Sequence, residues 1–299
     1  MNVSSVFKSG ALAAAATIAF AVFAHRVADW SQMIDSQTAA VSVPADLDTC
    51  TNALKESVQP TIRVIPQIPL GSFDDNRTKY STVIQIINAT GQPQPVAATF
   101  YKEDGTILNN ATLSATTGAI IGGILPPTSV PKDGVLVISG PDTGSDGVLA
   151  WGKIASCAPL SISTFFELRD AGTNFLYSRV GVAASPANMS SFVIPRIREA
   201  TAGLDVGFAV VNTAPSGTAV LKAELKDAAG HVIAARNISM SAGEHRSGFT
   251  RDLFAPLTEA DGGRTYQYVK FSSTSPTFAA IALAFEGSTQ TSFPADAVP

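Results

Sequence analysis

The sequence predicts an all-β protein built from two tandem antiparallel β-sandwich domains. The first observation is a repeat, because Val64-Ile65-Pro66-Gln67-Ile68 returns as Val193-Ile194-Pro195-Arg196-Ile197. A period of roughly 120 residues is domain-sized, so it indicates duplication of a whole module. The second observation is that apolar residues alternate with a period of two from residue 61 onward, with turn signals roughly every 8–12 residues. The third is that no amphipathic helices of roughly 10–15 residues alternate with these strands, which disfavours a parallel α/β fold.

Composition restricts the class of protein and of partner. Of the 299 residues, 45% are hydrophobic and 15% are charged, which is typical of a chain that buries a core. The formal net charge is −4, whereas a nucleic-acid partner requires a concentrated field of Lys and Arg. The largest basic cluster, Arg196 and Arg198, lies beside Glu199. We therefore expect no nucleic-acid binding.

Residues 1–24 are predicted to be a signal peptide. Lys8 precedes an apolar run over residues 10–24, which ends in the small-residue pattern Val22-Phe23-Ala24. The run is short for a membrane span, which needs about 20 apolar residues. The competing interpretation is an uncleaved N-terminal anchor, which would be the chain's only contact with a membrane. Either way we expect an exported protein that is periplasmic, cell-surface or secreted.

Residues 25–60 are predicted to form a partly helical extension. A helix over residues 46–57 would have Asp46 or Asp48 as its N-cap and would end before Pro60. Cys50 and Cys157 are the only cysteines, and a cysteine pair in an exported chain is more often bridged than free. We therefore predict a Cys50–Cys157 disulfide that ties the extension to the first domain. Two unrelated free thiols are the alternative.

The first sandwich domain is predicted over residues 61–184 and the second over residues 191–299. Residues 82–87 and 206–211 form matching alternating strands, and each is followed by an Asn, at positions 88 and 212. The next strands match at an offset of 125 positions, with an inward face of Val96, Ala98 and Phe100 in the first copy and Leu221, Ala223 and Leu225 in the second. We expect this offset to continue through Leu113 and Ile238 to Gly118 and Gly243.

The middle of each copy is where the two are expected to differ. Residues 120–132 are predicted to be an insertion in the first copy, whereas residues 249–254 form about one helical turn in the second. Residues 135–139 and 148–155 are predicted to pair as a hairpin, and residues 266–272 to match its second strand. Apolar strands over residues 162–168 and 278–285 are expected to close the domains. The composition of residues 183–191 is typical of a linker.

The chain contains no recognisable catalytic or metal-binding motif. His25, His231 and His245 lack the spacing of a zinc site and are predicted to be solvated. No nucleophile motif occurs, and the Gly-rich stretches lack the Lys of a phosphate loop. Glu167 with Glu286, and Lys153 with Lys270, recur between the copies and are interpreted as surface charges. We therefore predict no catalytic residue, no cofactor and no metal site. A hydrolase assembled from distant segments is the competing class.

The repeated pattern resembles a known type of module. The matching stretches run from Ile86-Ile87-Asn88 to Gly105-Thr106-Ile107-Leu108, and from Val210-Val211-Asn212 to Gly230-His231-Val232-Ile233. They resemble immunoglobulin-like modules, and in particular poorly characterised exported bacterial proteins that carry such modules in tandem. The resemblance implies two immunoglobulin-like sandwiches and an exported setting, but no activity.

The expected function is a non-enzymatic structural or interaction role, such as adhesion or scaffolding, at the cell envelope. The partner is expected to be a protein or a glycan. One alternative is a carbohydrate-binding module, which would need Trp151, Tyr177 and Tyr266 together on an exposed face. Another is a periplasmic assembly chaperone, although neither the basic pair nor the long donor strand of that family can be located.

Overall fold

The structure, a computed structural model, describes residues 50–51, 57–73, 77–109, 111–140, 147–198, 203–255, 265–286 and 289–298. The predicted signal peptide and most of the predicted extension lie outside the described residues. Among the described residues, no helix is long and apolar enough to cross a membrane.

The described chain is almost entirely β-structure, as predicted. We call residues 61–186 the N-terminal half. A short hairpin precedes this half, formed by β1 (Cys50–Thr51) and β2 (Ser57–Val58). The strands of the half itself are β3 (Thr61–Phe73), β4 (Thr78–Ile87), β5 (Gln94–Lys102), β6 (Ser114–Ala115), β7 (Ile124–Val130), β8 (Val135–Gly140), β9 (Val148–Ser156), β10 (Ser161–Asp170), β11 (Leu176–Ala183) and β12 (Ser185–Pro186).

Residues 189–298 form the C-terminal half. Its strands are β13 (Ser191–Arg198), β14 (Leu204–Asn212), β15 (Thr218–Lys226), β16 (Val232–Ser241), β17 (His245–Phe249), β18 (Thr265–Ser272), β19 (Phe278–Glu286), β20 (Thr289–Pro294) and β21 (Asp296–Ala297). A single helical turn, α1 (Thr250–Leu253), follows β17 where it was predicted.

The strand order of the N-terminal half is repeated in the C-terminal half. In the N-terminal half, one layer has the order β12-β3-β9-β5-β7, and the other has β8-β4-β10-β11 with β6 beside β8. The end of β3 also pairs with β4, which joins the two layers. In the C-terminal half, the layers are β21-β13-β18-β15-β16 and β17-β14-β19-β20. The five strands of one layer and the four of the other therefore have counterparts in the same order.

Each half also has its own buried core. In the N-terminal half the core includes Val96, Ala98 and Phe100, and in the C-terminal half it includes their predicted counterparts. All six of these side chains are buried, which confirms the predicted inward faces. The division into domains at residues 184 and 191 stays a prediction. The stretch between them pairs with both halves, because β12 pairs with β3 and Met189 pairs with Phe278.

The repeated asparagines close equivalent turns. Asn88 and Asn212 are both fully buried. The Nδ2 of Asn88 donates to the carbonyl of Val130 at 3.1 Å, and the Nδ2 of Asn212 donates to the carbonyl of Met240 at 3.0 Å. In both, Oδ1 accepts the backbone N–H two residues later. Because a buried amide is stable only when hydrogen-bonded, these contacts explain why each copy ends its strand on Asn.

The predicted alignment of the copies holds through the turn to Ile107 and Val232 and fails after it. Strand β7 is the counterpart of β16, because β7 pairs with β5 and β16 pairs with β15. Thr128 lies opposite Val96 and Ile238 lies opposite Leu221, so Thr128 and Ile238 are counterparts. The prediction that Leu113 matches Ile238 and Gly118 matches Gly243 is therefore wrong. Strand β7 was hidden in the predicted insertion by Pro126 and Pro127. It tolerates them because it is an edge strand, where an N–H can be missing without breaking a ladder.

Two further predictions of local structure are wrong. Strands β8 and β9 do not pair as a hairpin, because β8 pairs with β4 in one layer and β9 pairs with β3 and β5 in the other. The connection therefore crosses the sandwich, a choice that strand patterns alone do not specify. Strands β10 and β19 do not close their halves, since β11 and β20 follow each of them as hairpin partners.

The predicted disulfide is confirmed and the predicted helix beside it is wrong. Cys50 and Cys157 are bonded, with their Cα atoms 5.2 Å apart. Cys50 and Thr51 are extended and pair with Val58 and Ser57, so the helix predicted over residues 46–57 does not form at these positions. Cys157 directly follows β9, so the bridge fixes this N-terminal hairpin to the end of the sandwich.

Candidate functional site

The two halves pack against each other through a buried interface. We call the outer face of β3, β9 and β5 the N-terminal docking face, and the outer face of β14 and β19 the C-terminal docking face. Val64, Tyr101 and Trp151 of the first form one apolar cluster with Val211 and Ala279 of the second. A second cluster joins residues of β10 and β11 to the C-terminal docking face: Phe166, Val180, Val182, Ala209, Phe249, Ile281, Leu283 and Phe285.

Trp151 lies at the centre of this interface. Its indole is stacked on Tyr101, with ring centroids 4.2 Å apart, and its Nε1 donates to the carbonyl of Gly243 at 3.0 Å. Trp151 is 3% exposed, whereas Tyr266 on β18 of the C-terminal half is 60% exposed. Tyr177 lies on β11 of the N-terminal half, in a different layer from Trp151. The three aromatic residues proposed for a carbohydrate face are therefore not brought together. Trp151 has a structural role because it fixes one half to the other.

His245 is buried in the same interface, so the prediction that it is solvated is wrong. Its backbone N–H donates to the carbonyl of Glu103 at 2.8 Å, and its Nδ1 lies 3.9 Å from a carboxylate oxygen of Glu103. Burial lowers the pKa of His245 from 6.5 to about 4, and the backbone of Pro66 opposes this shift. His231 lies on the surface, as predicted, 3.2 Å from the Asp227 carboxylate. His25 lies outside the described residues.

Acidification is expected to destabilise the protein through His245. Between pH 6.5 and about 4 the unfolded chain binds a proton at this residue and the folded chain does not. The free energy of unfolding should therefore fall by about 1.4 kcal/mol per pH unit across this window, or about 3 kcal/mol in total. Urea unfolding of wild type and of His245→Val at a series of pH values measures this contribution.

Valine is a suitable replacement for His245 because the repeat has valine at the equivalent position. Val135 pairs with Ile87 as His245 pairs with Val211, so valine already occupies the equivalent position in the N-terminal half. The other carboxylates titrate in both proteins, and only the difference between them reports on His245. If wild type and variant lose stability in parallel from pH 6.5 to 4, the imidazole does not remain neutral in the folded protein.

The N-terminal half carries a hairpin extension that the C-terminal half lacks. Five residues, 171–175, connect β10 to β11, whereas only residues 287 and 288 separate β19 from β20. We call the side chains at this end of the hairpin the hairpin patch, which comprises Lys79, Glu167, Arg169, Asp170, Phe175, Tyr177 and Arg179. Of these residues, only Tyr177 and Glu167 are predicted from the sequence as candidates of interest. The turn composition of residues 170–174, followed by Phe175, was the available signal.

Glu167 organises the cations of the hairpin patch. Its two carboxylate oxygens accept from Arg169 at 2.8 Å and from Nε of Arg179 at 2.8 Å. Partial burial acts to raise the pKa of Glu167, but hydrogen bonds from these two arginines outweigh it and hold the pKa below its usual value. Lys79 lies directly opposite Arg169 on the neighbouring strand. Two arginines therefore engage one carboxylate on the outer face of this sheet, and a lysine lies opposite one of them.

Asp170 rigidifies the turn that presents the exposed aromatic residue. Its carboxylate accepts from the backbone N–H of Thr173 at 2.6 Å and from the hydroxyl of Tyr177 at 2.7 Å. These hydrogen bonds lower the pKa of Asp170 to about 2. Phe175 is 65% exposed and meets Tyr177 edge to face, with centroids 5.7 Å apart. An apolar ring is thus held in water at the tip of a hydrogen-bonded turn.

The equivalent place in the C-terminal half has different chemistry. Strand pairing makes Phe285 the counterpart of Glu167, and Gln290 the counterpart of Arg179. The prediction that Glu167 and Glu286 are equivalent is therefore wrong by one position. Lys153 and Lys270 are equivalent, as predicted, because they pair with Val64 and Val193. Phe285 is buried against the N-terminal half, so the hairpin patch belongs to one copy alone.

The described residues contain no group of three or more His, Cys, Asp or Glu side chains placed to hold a metal ion. A cavity lined by Gln67, Gly207 and Ile281 at the interface has a volume of about 10 Å³, which is room for about one water. Comparisons with models of protein families, with curated proteins and with solved structures found no match.

Proposed function

We propose that this chain is a non-enzymatic interaction protein of the cell envelope and that the hairpin patch binds its partner. The observation that carries the proposal is a structural difference between the two halves, which otherwise share one strand order. The two halves have the same strand order, yet among the described residues only the N-terminal half extends a hairpin, whose tip exposes Phe175 and whose strands carry Arg169 and Arg179. Binding residues are commonly carried on loops that a rigid scaffold holds in place.

The chemistry of the hairpin patch favours a partner with a carboxylate beside an apolar group. The side chain of Arg179 is 55% exposed although it is paired with Glu167, so its outer N–H groups can donate hydrogen bonds to a further anion. Phe175 and Tyr177 supply flat apolar area, and aromatic and Arg residues carry much of the binding energy at interfaces. A protein surface or an acidic glycan offers both complements.

Retention of partners from the organism's own envelope fraction tests the proposal. Immobilised full-length chain is compared with Phe175→Ser and with Arg179→Glu, and bound material is quantified by mass spectrometry. The matched control is Tyr266→Ser, because Tyr266 is 60% exposed but lies in the other half. We expect each patch variant to lose at least about tenfold of the specific signal, as an interface anchor does, and the control to lose none. Equal retention by all four proteins would refute the patch.

A glycan is the second candidate partner, and the exposed Phe175–Tyr177 pair favours it. Sugar rings stack on aromatic faces, and Asp170 and Arg179 lie close enough to fix hydroxyl or carboxylate groups. A glycan array probed with wild type and Phe175→Ser separates the two classes. Hits that disappear with the variant identify a carbohydrate-binding module, whereas an empty array together with retained envelope proteins identifies a protein partner.

We further propose that the chain is exported. The Cys50–Cys157 bond supports this proposal, because disulfides persist in oxidising compartments and are rare in the cytosol. The apolar run over residues 10–24 would supply the signal. Peptide mapping of the protein recovered from cells should show a first residue at or near position 25. A chain that retains residue 1 and fractionates with membranes would instead indicate an uncleaved anchor.

A further inference from the structure

The interface between the halves joins two different faces of one duplicated module. The N-terminal half contributes the outer face of β3, β9 and β5 together with Phe166, Val180 and Val182 of β10 and β11. The C-terminal half contributes the outer face of β14 and β19. Such an interface is heterologous, so in principle it can be repeated from copy to copy without closing. Every half has both faces, so among the described residues one face of each kind has no half docked on it, and we call these two the free faces.

The free faces can be identified from strand equivalence. The C-terminal half still has the outer face of β13, β18 and β15, which corresponds to the N-terminal docking face. The N-terminal half still has the outer face of β4 and β10, which corresponds to the C-terminal docking face. A second copy of the chain could stack on the first if its free faces kept the apolar chemistry of the docked ones.

The free face of the C-terminal half carries charge where the docked face is buried. Tyr101 packs in the interface and lies opposite Trp151 on the neighbouring strand. Its counterpart is Lys226, because Lys226 lies opposite Tyr268, the counterpart of Trp151. On the same strands, the buried residues Ala97 and Thr99 correspond to Lys222 and Glu224. Lys222 and Glu224 form an ion pair at 2.6 Å. A partner module would have to remove these charges from water.

The free face of the N-terminal half is also more polar than the docked face to which it corresponds. The docked residues Ala209, Ala279, Ile281 and Phe285 correspond to Gln85, Ser161, Ser163 and Glu167. Four apolar contacts are thus replaced by three polar side chains and one carboxylate, and the carboxylate is engaged with two arginines. Ile87 and Phe165, the counterparts of the docked residues Val211 and Leu283, remain apolar, so four of these six contact positions are polar on the free face.

We infer that both free faces are capped against a further module, so that the chain is a closed pair of sandwiches that does not stack head to tail. Terminal repeats with a polar outer face end stacked arrays in the same way. This inference concerns assembly and does not depend on the hairpin patch binding a partner.

Sedimentation velocity of the full chain over a wide concentration range is the first test. The wild-type protein should keep the mass of one chain at every concentration. A mass that rises with concentration, and that returns to one chain on Ile87→Lys or Val193→Lys, would overturn the inference. These two residues lie on the free faces, as the counterparts of the docked residues Val211 and Val64.

Removal of the caps is the second test. Each substitution introduces the residue that the corresponding docked face has at that position. The free face of the C-terminal half receives Lys222→Ala, Glu224→Thr and Lys226→Tyr. The free face of the N-terminal half receives Gln85→Ala, Ser161→Ala and Ser163→Ile. The combined variant should self-associate with concentration, whereas each single-face variant should remain one chain, because both faces must be apolar to dock. A folded combined variant that stays one chain throughout would contradict the inference. Far-UV circular dichroism verifies the fold, and the wild-type measurement is decisive should the combined variant not fold.

Discussion

Replacing both cysteines with serine should lower the free energy of unfolding by about 5 kcal/mol. The bond joins residues that are 107 positions apart, and a cross-link over so long a loop removes much of the entropy of the unfolded chain. The effect should be a large shift of the urea midpoint with little change in the native circular dichroism. Cys50 is 1% exposed, and serine at that position adds the cost of a buried hydroxyl.

Reduction supplies the control for this prediction. Dithiothreitol should shift the wild-type midpoint to that of the Cys50→Ser/Cys157→Ser variant and should leave the variant unchanged. The C-terminal half offers an internal comparison, since Thr274 stands where the N-terminal half has Cys157. Wild-type and variant chains that unfold at the same urea concentration, with or without reductant, would show that the bridge contributes nothing to stability.

Trp151→Ala should cost about 3–5 kcal/mol, as do other substitutions of a buried Trp by Ala. The indole fills the centre of the interface, stacks on Tyr101 and donates to the carbonyl of Gly243. Its loss leaves a cavity between the halves and an unsatisfied buried carbonyl. Urea unfolding followed by circular dichroism measures the change, because the variant also removes a fluorophore.

The duplicated fold provides a matched control for Trp151. Tyr268 stands at the equivalent position of the C-terminal half but on its free face, where it is only partly buried. Tyr268→Ala should therefore cost less than about 1 kcal/mol, within the range of surface substitutions. Trp151→Phe should lie between the two, since it keeps an aromatic ring and loses the N–H donor. Similar costs for Trp151→Ala and Tyr268→Ala would contradict an interface that depends on Trp151.

The repeated strands could be predicted from the sequence where both copies kept the same alternation of inward and outward side chains. Val96, Ala98 and Phe100 align with Leu221, Ala223 and Leu225, and all six side chains lie in the buried cores of their halves, as predicted. The alignment failed where one edge strand acquired Pro126 and Pro127 and no longer resembled a strand. Pairing partners, which distinguish an edge from a centre, depend on distant residues and do not appear in local patterns.

The interface between the halves could not be predicted for a related reason. Residues 205–212 are buried on both faces, which in the sequence looks the same as a core strand of one sandwich. The neighbours of His245, Gly243 and Glu244, are turn formers and predict a solvated histidine, yet its side chain is buried beside Glu103 of the other half. The packing of one half against the other is a tertiary event, whereas the sequence predicted only that the halves are repeated.

The hairpin patch was partly visible in the sequence. Glu167 and Tyr177 were noticed singly, but the ladder between β10 and β11 is what brings Arg179 opposite Glu167. A cross-strand pair is set by the register of the hairpin, and that register depends on the length of its turn.

Native-state hydrogen exchange tests most directly the claim that two copies of one fold are docked into a single unit. Strands β9 and β18 are equivalent central strands, each paired on both sides. Their amides should exchange only through the same global opening, with free energies that agree within about 1 kcal/mol, since coupled elements open as one cooperative unit. An opening of β18 that is several kcal/mol easier than that of β9, or the reverse, would show that the halves fold independently.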